Sequence, residues 1–365
     1  MSSKLRERYD SLYTKIETRM LAWGAVRENR GYAAGVTPLP TLDDDYRTAV
    51  RPYWRQFDVP TPKKYSFRLF SNADKGLDEH ADPRYIPDDL WFDRIIPHYN
   101  DLIFAKALQD KCLHNLLFPG LRRPETVVKN VAGVFYDDGL SLLTREEAAD
   151  RLLHTEGRVL VKPSVGSGQG HNIRFYDADA LTEADAEEIF RLYGKNFIIQ
   201  KKLDQHEALA RLNPDSLNTV RVITFLHRDK VYTLSSILRV GGFGSEVDNT
   251  SQGGFQGSIL PGGRLAPKGF THRNDRWEYI DAYPNGIRFA DVTVPFYDRV
   301  EEAAHKNALR MGHFRILGWD FAVSPDGTPV LIEYNVIPGQ NQESDGPTFG
   351  ELTDEVLGEV FGKRS

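Results

Sequence analysis

Residues 314–340 (FRILGWDFAVSPDGTPVLIEYNVIPGQ) hold two carboxylates and an amide within sequence that favours β-strands. A two-residue Asp-Gly turn at 326–327 would place Asp320 directly opposite Glu333, and a four-residue loop would still leave both on one face of a hairpin. Asn335 shares the face of Glu333 because side chains alternate along a strand. Facing carboxylates repel each other, and a hard divalent cation such as Mg²⁺ between them removes the repulsion. The pattern therefore predicts a metal site.

The alternative is that these acids are ordinary solvated surface residues, as isolated Asp and Glu usually are. The flanking sequences WDFAV and VLIEYNV are mostly apolar, which predicts that both strands are largely buried. Carboxylates in buried strands need a compensating charge, so we favour the metal site.

A second group of chemically informative residues lies at 158–176 (RVLVKPSVGSGQGHNIRFY). A strand at 158–162 leads into the glycine-rich segment 164–170, and a second strand follows. The glycines let backbone N–H groups converge on an anion, and Lys162 stands where it can reach a phosphate. The segment matches neither a Walker A loop nor the dinucleotide fingerprint, both of which open a helix. Hairpin turns also use glycine, but strand, lysine, glycine loop and return strand together indicate a flap that covers phosphates.

Three further stretches are predicted to lie around such a site. Residues 215–242 read as a long hairpin with its turn at 228–230, and its apolar strands carry Arg221 and Arg239. An arginine in such a strand needs a partner, either an anionic substrate or an internal acid. Residues 196–203 (NFIIQKKL) are either a plain core strand or one that offers backbone groups to an adenine, and 243–267 reads as a loop system over the site.

The remaining elements are expected to be scaffold. Helices are predicted at 4–30, 101–117, 298–311 and 348–361, and Thr144 with Glu147 gives the signature of a capping box at the start of another. A proline- and aromatic-rich stretch fills 31–100. Apolar residues at helical spacing in the first helix predict a packing face made of Leu5, Tyr9, Leu12, Tyr13, Ile16, Met20 and Trp23.

Composition excludes several classes of protein. A chain of 365 residues with net charge −6 is expected to form two or three subdomains and to bind neither nucleic acid nor an anionic membrane as its main partner. Its single cysteine, Cys112, excludes an internal disulfide and fits a reducing compartment. The charged N-terminus and the lack of a long apolar run predict a soluble, cytoplasmic protein without membrane insertion.

Taken in order, these features resemble the sugar-transfer-associated family of the ATP-grasp superfamily. The resemblance covers about residues 80 to 340, and the hairpin at 318–340 is similar to the metal-binding motif of the whole superfamily. The matching stretches are DPRYIPDDLWFDRIIPHYN, LQDKCLHNLLFPGLRRPET, VLVKPSVGSGQGHNI, FIIQKKLDQHEALARLNPDSLNTVRVITF and GWDFAVSPDGTPVLIEYNVIPGQ.

The resemblance implies an α+β ATP-grasp fold, in which two α+β subdomains grip ATP, with a helical or irregular N-terminal domain. The implied divisions are 1–100 for that domain, 101–203 and 204–345 for the two ATP-grasp subdomains, and 346–365 for a terminal helix and tail. The implied cofactors are ATP and one or two Mg²⁺ ions.

The resemblance also assigns roles to residues at matching positions. Asp320, Glu333 and Asn335 would hold the metal. Arg221 would steady the transferred phosphoryl group or the acyl carboxylate, with Arg239 and Arg315 as further candidates. The residues implied to contact ATP are Lys111, Lys162, Ser164, Gly166, Ser167, Gly168, Gly170, Gln200, Lys201, Leu203 and Glu207.

The sequence departs from the superfamily pattern at two positions. Gln200 stands where D-alanine–D-alanine ligases usually have Glu, and Gly318 stands where they have an arginine in the metal motif. The cation that this arginine supplies must therefore come from another position.

The implied function is an ATP-dependent carboxylate–amine ligase that works through an acylphosphate, in polysaccharide or related cell-surface or secondary-metabolite biosynthesis. Its partners would be a small carboxylate and a small amine, whose identities and the oligomeric state are open. Two other functions use the same ATP site: a kinase that phosphorylates a sugar or other hydroxyl, and a non-catalytic ATP-binding regulator. The regulator is less favoured because Lys111, Lys162, Asp320, Glu333 and Asn335 are all present.

Overall fold

The computed structural model describes residues 3–166, 172–242, 244, 253–273 and 276–363, and in these ranges it is an α+β protein built on two antiparallel sheets. The predicted fold class is therefore confirmed. The helices are α1 (Ser3–Gly35), α2 (Leu42–Asp45), α3 (Arg51–Trp54), α4 (Lys64–Phe70), α5 (Asp88–Leu90), α6 (Ile96–Tyr99), α7 (Ala105–Leu108), α8 (His114–Leu117), α9 (Arg145–Leu153), α10 (Glu183–Tyr193), α11 (Glu207–Ala210), α12 (Tyr297–Ala308), α13 (Gln342–Asp345) and α14 (Thr353–Phe361).

All the strands follow α8 in the chain. They are β1 (Thr126–Val131), β2 (Val134–Tyr136), β3 (Leu142–Leu143), β4 (Arg158–Pro163), β5 (Arg174–Asp177), β6 (Phe197–Lys201), β7 (Thr219–His227), β8 (Lys230–Val240), β9 (Phe255–Ile259), β10 (Leu265–Arg273), β11 (Arg276–Ile280), β12 (Ile316–Val323) and β13 (Pro329–Asn335). The first sheet has the order β3-β2-β1-β6-β4-β5, and the second has the order β11-β10-β9-β8-β7-β12-β13.

The first sheet carries the strand that precedes the glycine loop. Helices α9 and α10 pack on it around Phe190, Phe197 and their neighbours in one apolar core. Both helices begin with a full capping box, and the one at Thr144 and Glu147 is the one that the sequence predicts. Helix α10 ends at Gly194, whose φ of 66° suits a residue without a Cβ.

The second sheet is covered on both faces. Helix α12 packs on one face around Trp319 and Phe321. On the other face, one end of the sheet contributes Ile223, Phe225 and Ile316 to a core that it shares with the N-terminal helices and α14. That coverage leaves the middle of this face for the polar side chains of the site.

The N-terminal segment 31–100 consists mainly of short helices. Two of its helical runs contain a π-helical turn, at Tyr46–Val50 and at Trp91–Ile95. Each turn is followed at once by a helical turn that contains a proline, Pro52 or Pro97. A proline removes one backbone donor and crowds the preceding turn, and a wider π turn is a common way to accommodate such a disruption.

Three predictions about the scaffold are wrong. The helix expected at 101–117 is broken between α7 and α8, where Asp110 accepts a hydrogen bond from the Cys112 amide. Of the loop system expected at 243–267, residues 243 and 245–252 lie outside the described residues, and the rest contains β9 and the start of β10. The first helix exists, but the members of its apolar stripe listed next are exposed instead of packed: Leu12, Ile16, Met20 and Trp23.

The small and polar residues of α1 face the body of the protein instead: Thr18, Ala22, Asn29 and Ala33 are buried. Helical spacing identifies a face but does not say which face finds a partner. Among the described helices, none combines the length and apolar character required to cross a membrane.

Candidate active site

The predicted hairpin forms, and Asp320 pairs directly with Glu333 as expected. The turn itself differs from the prediction, because Val323 pairs with Pro329 and five residues, 324–328, connect the strands. A bulge at Ile332 then restores the register. The two differences compensate, so the carboxylates face each other for a reason that the sequence pattern did not contain.

Asp320 is bound by arginine. Arg221 on the neighbouring strand donates from Nε and Nη2 to the two carboxylate oxygens of Asp320, at 2.7 and 2.6 Å. Arg239 lies 3.8 Å from the same carboxylate, and Asn335 donates to it at 3.4 Å. Burial alone would raise the pKa of Asp320, but the guanidinium groups of Arg221 and Arg239 hold it below its usual value. Of the two partners left open for these arginines, the structure supplies the internal acid.

Glu333 is bound by lysine. Lys111 Nζ lies 3.3 Å from its carboxylate, and the Lys111 amide donates to the carbonyl of Ser164 at 2.9 Å. Lys111 therefore joins the hairpin of the second sheet to the base of the glycine loop on the first sheet.

Lys162 stands at the end of β4, and only 6% of its surface is exposed. Burial and the nearby Lys111 lower its pKa to about 8, against the opposing effect of Glu333. A buried ammonium held near a second lysine has an excess of positive charge around it. An anion entering this space would relieve that excess.

A narrow cavity continues from these lysines between the two sheets. Among the described residues that line it, Asp138 is the single acid against several bases, so this lining is strongly cationic. The side chains that line it include Lys111, His114, Arg123, Lys129, Asp138, Lys162 and Gln200.

Three polar atoms in this wall are buried without a hydrogen-bond partner among the described residues. They are Oε1 of Gln200, Oδ1 of Asn115 and Nε2 of His114. Burial, with Lys111 and Lys162 nearby, lowers the pKa of His114 well below its usual value, so its ring is neutral at physiological pH. Such atoms usually mark a place where something else binds.

His114 and Lys129 are site residues that the sequence analysis missed. Lys129 is buried within β1, where its Nζ donates to the carbonyl of Asp138 at 2.7 Å and lies 3.2 Å from its carboxylate. A lysine inside the apolar run TVVKNV is a detectable signal of the same kind as Arg221. His114 offered no comparable signal in the sequence.

The residues predicted to line the adenine hinge lie where β6 ends. Lys201 pairs with Glu125 at 2.9 Å on the side of the strand opposite Gln200. The amide of Leu203 donates no backbone hydrogen bond within the described ranges, so it is available to an acceptor. Glu207 is exposed at the start of α11, next to His206, whose amide donates to the carbonyl of Val323 at 2.7 Å.

The remaining predicted residues are not all brought together. Arg315 is exposed just before β12, five residues from Asp320 along the chain. Its amide donates to the carbonyl of Tyr99. At about 3.3 Å per residue it is far from the paired carboxylates. Ser164 and Gly166 lie at the base of the glycine loop, while Ser167, Gly168 and Gly170 lie outside the described residues.

The donor set of the hairpin suits magnesium, because Asp320, Glu333 and Asn335 offer only oxygen ligands on one face. Two carboxylates and one amide would leave the other coordination positions to phosphates and water. Since Arg221 and Lys111 now hold the carboxylates, a metal would have to share or displace them. Within the described ranges, no cluster of three or more His, Cys, Asp and Glu side chains could hold a metal by itself.

Comparison with known proteins gives one family. The family described as sugar-transfer associated ATP-grasp matches residues 92–343. No curated protein matches the chain.

Several solved structures are similar to it. VanG D-Ala:D-Ser ligase from Enterococcus faecalis has TM-score 0.42 and 15% identity, over 71% of this chain and 63% of that one. The ATP-grasp ligase PsnB with its minimal precursor has TM-score 0.41 and 17% identity, over 72% and 64%. The ADP complex of purK, an N5-carboxyaminoimidazole ribonucleotide synthetase, has TM-score 0.39 and 12% identity, over 66% and 48%. The chain thus spans between about half and two thirds of the length of these structures.

Proposed function

Because this chain belongs to the sugar-transfer associated ATP-grasp family, we propose that it is an ATP-dependent ligase that joins a carboxylate to an amine through an acylphosphate. The family match gives it the ATP-grasp fold. The proposal extends to a reaction in the cytoplasm, to a pathway of polysaccharide or related biosynthesis, and to the domain divisions at residues 100, 203 and 345.

One observation carries the proposal: four basic side chains converge on two paired carboxylates where the two sheets meet. These bases are Lys111, Lys162, Arg221 and Arg239. Among these six side chains the positive charges exceed the negative ones by two. A magnesium-bound nucleoside triphosphate retains net negative charge, so its charge complements the site.

In this proposal, Asp320, Glu333 and Asn335 hold Mg²⁺, which when bound neutralises phosphate charge during transfer. Arg221 and Lys111 then lose part of their present contact with the carboxylates. Both cations become available to phosphate oxygens a short distance away. The ion pairs of the ligand-free protein thus keep the basic side chains at the positions where the reaction needs them.

The nucleoside would enter the cationic cavity between the sheets. The unpartnered Oε1 of Gln200 can accept a hydrogen bond from an adenine amino group, and the Leu203 amide can donate to a ring nitrogen. A glutamine in place of the usual acid still supplies the required acceptor. Because the cavity is narrow, entry of the nucleotide requires the two sheets to separate.

The reaction needs no nucleophile from the protein. A carboxylate oxygen of the substrate attacks the γ-phosphorus of ATP, and ADP leaves. An amine then attacks the acyl carbon, its proton is lost, and inorganic phosphate leaves. Arg239 lies beside Arg221 and could hold the substrate carboxylate. Cys112 is unsuited to covalent catalysis because burial raises the pKa of its thiol to about 12.

A hydroxamate assay tests the proposal. The protein is incubated with Mg²⁺, ATP, hydroxylamine as the amine, and a panel of amino acids, uronic acids and nucleotide-linked uronates. We expect a hydroxamate with one class of carboxylate and an equal amount of ADP. Loss of the product in Glu333→Gln, but not in the exposed helix variant Glu302→Gln, would connect the chemistry to this site.

Production of ADP without hydroxamate, with phosphate appearing on an added sugar, would reject the ligase in favour of a kinase. Absence of both products, with ATP bound normally, would favour a regulatory protein.

A further inference from the structure

A large cavity opens in the second sheet where β8 and β9 diverge. The two strands pair from Val240 opposite Phe255 to Ile237 opposite Ser258, and their pairing ends there. Beyond this point the chain after β9 turns away, leaving a space of about 770 Å³ beside the first half of β8. This volume lies in the range of small-molecule sites in proteins.

The charged side chains of this cavity are mainly acidic. Asp78, Asp298, Glu301 and Asp345 line it, and they come from three separate parts of the chain. Within the part of the chain that the structure describes, Lys75 is the one lysine in the lining.

Lys75 is already satisfied by the protein. Its ammonium donates to the Tyr85 hydroxyl at 2.7 Å and to the carbonyls of Phe70 and Gln342 at 3.1 and 3.2 Å. It also lies 3.7 Å from Asp78. Because the ammonium of Lys75 is bound by these groups and the lining holds four carboxylates, the cavity retains an excess of negative charge.

Asp345 stands at the point where the strands divide. Ser258 and the backbone of Ser236, one from each of the two diverging strands, lie close enough to its carboxylate to favour the charged form. Burial nevertheless raises the pKa of Asp345 to about 7. Asp345 is exposed to the solvent of the cavity, yet protein surrounds its carboxylate on the other sides. This position accounts for both its accessibility and its raised pKa.

The lining favours an organic cation over a metal ion. Within the described ranges the acids do not form a group of three that could hold a metal. Between them lie apolar walls that include Leu234, Ile259, Leu260 and Pro267. Separate carboxylates on an apolar surface suit a molecule with an ammonium group and a carbon skeleton.

The cavity adjoins the candidate active site. Ser258 lies opposite Ile237, Ile237 lies opposite Arg221, and Arg221 lies opposite Asp320, so all four share one face of the sheet. Three strand spacings of about 4.8 Å separate Ser258 from Asp320, or about 14 Å. The lining residue Ser258 therefore lies on the face of the sheet that carries Arg221, and the buried side chain of Ile237 stands between the two.

We propose that this cavity binds the amine-bearing substrate, with an ammonium group of that substrate paired to Asp345 and its skeleton against the apolar walls. The role as substrate rests on the proposed ligase function, but the binding of an amine does not. The cationic end of the sheet would hold the acyl donor, and the acidic cavity would hold the acceptor.

The test measures amine binding without ATP. The probes are cadaverine and phenethylamine, one linear and one with a ring, and each is compared with the alcohol of the same skeleton by saturation-transfer NMR and titration calorimetry. We expect at least one amine to bind and its alcohol to bind at least about tenfold more weakly.

The same amine should bind about ten- to a hundredfold more weakly to Asp345→Asn, because a charge-assisted hydrogen bond is lost. Leu260→Trp, at the exposed rim of the cavity, should weaken it by obstruction without removing a charge. Asp291→Asn is the control, since Asp291 is exposed and pairs with Arg288 outside the cavity.

Three results would overturn the proposal: neither amine binds the wild-type protein, amine and alcohol bind alike, or Asp345→Asn binds as the wild type does. The outcomes for the two proposals can be separated. Amine binding at Asp345 without any hydroxamate would reject the ligase function and keep the cavity as an amine site. Hydroxamate formation without amine binding would keep the ligase function and reject the cavity as an amine site.

Discussion

Replacing Lys162 by methionine should stabilise the ligand-free protein and abolish its response to ATP. Burial and Lys111 lower the pKa of Lys162 from 10.5 to about 8. A difference of about 2.5 pH units corresponds to about 3 kcal/mol of unfavourable free energy in the folded state. Methionine is similar in length and carries no charge, so Lys162→Met removes this cost.

The pH dependence follows from the direction of the shift. The folded pKa lies below the unfolded value, so the unfolded chain binds more protons between about pH 8 and 10.5, and this group adds stability as pH rises through that window. Below about pH 8 both states are protonated, and the full cost is present. We therefore expect Lys162→Met to raise the free energy of unfolding by up to about 3 kcal/mol near pH 7, with the gain disappearing toward pH 10.5.

The assay is urea denaturation followed by tryptophan fluorescence near pH 7 and near pH 10, with and without Mg²⁺ and ATP. The wild type should gain stability from ATP, and Lys162→Met should gain little because the phosphate contact is gone. Lys195→Met, at an exposed lysine, is the control and should show neither effect. A Lys162→Met protein that is less stable than the wild type by the same amount at both pH values would contradict the cost assigned to the buried charge. Equal stabilisation of both proteins by ATP would contradict the phosphate contact of Lys162.

Three further substitutions test the scaffold of the site by urea denaturation. Asp320→Asn should lower the free energy of unfolding by about 2 to 4 kcal/mol, because Arg221 loses its bidentate partner and the exposure of a quarter of its side chain limits the loss. An unchanged denaturation midpoint would show that water replaces the ion pair. Gly327→Ala should lower the free energy of unfolding by about 1 to 3 kcal/mol, because this glycine has φ 76° and a Cβ there would overlap the ring of Phe296. An unchanged stability would mean that the ring moves aside freely. Thr144→Ala should cost about 1 kcal/mol through loss of the capping box and leave ATP binding unchanged, whereas a loss of ATP binding would contradict the separation of α9 from the site.

Local patterns in the sequence were sufficient for most of the elements around the site. The capping box at Thr144, the strand before the glycine loop, and the hairpin formed by β7 and β8 all depend on neighbours within a few residues. Such patterns are readable because capping, alternation and turn chemistry act over short distances along the chain.

The places where prediction failed depend on distant residues. Spacing in α1 identified an apolar stripe, but the structure buries Thr18 and Ala22 and leaves Ile16 and Met20 exposed. The break between α7 and α8 places Lys111 against Ser164 and Glu333, which lie far along the chain. A local sequence pattern does not specify which distant surface a helix or strand will pack against.

The order of residues was enough to predict which charged side chains lie in buried strands, because Arg221 and Asp320 each stand within a visible apolar run. The same order of residues predicts that Asp320 and Glu333 share a face, but in the folded hairpin this depends on a five-residue connection and a compensating bulge at Ile332. The pairing of Arg221 with Asp320 and of Lys111 with Glu333 arises from folding, because each pair joins separate segments of the chain. The acidic cavity at Asp345 is likewise absent from any sequence pattern, because it forms where two paired strands part and is lined by residues from distant parts of the chain.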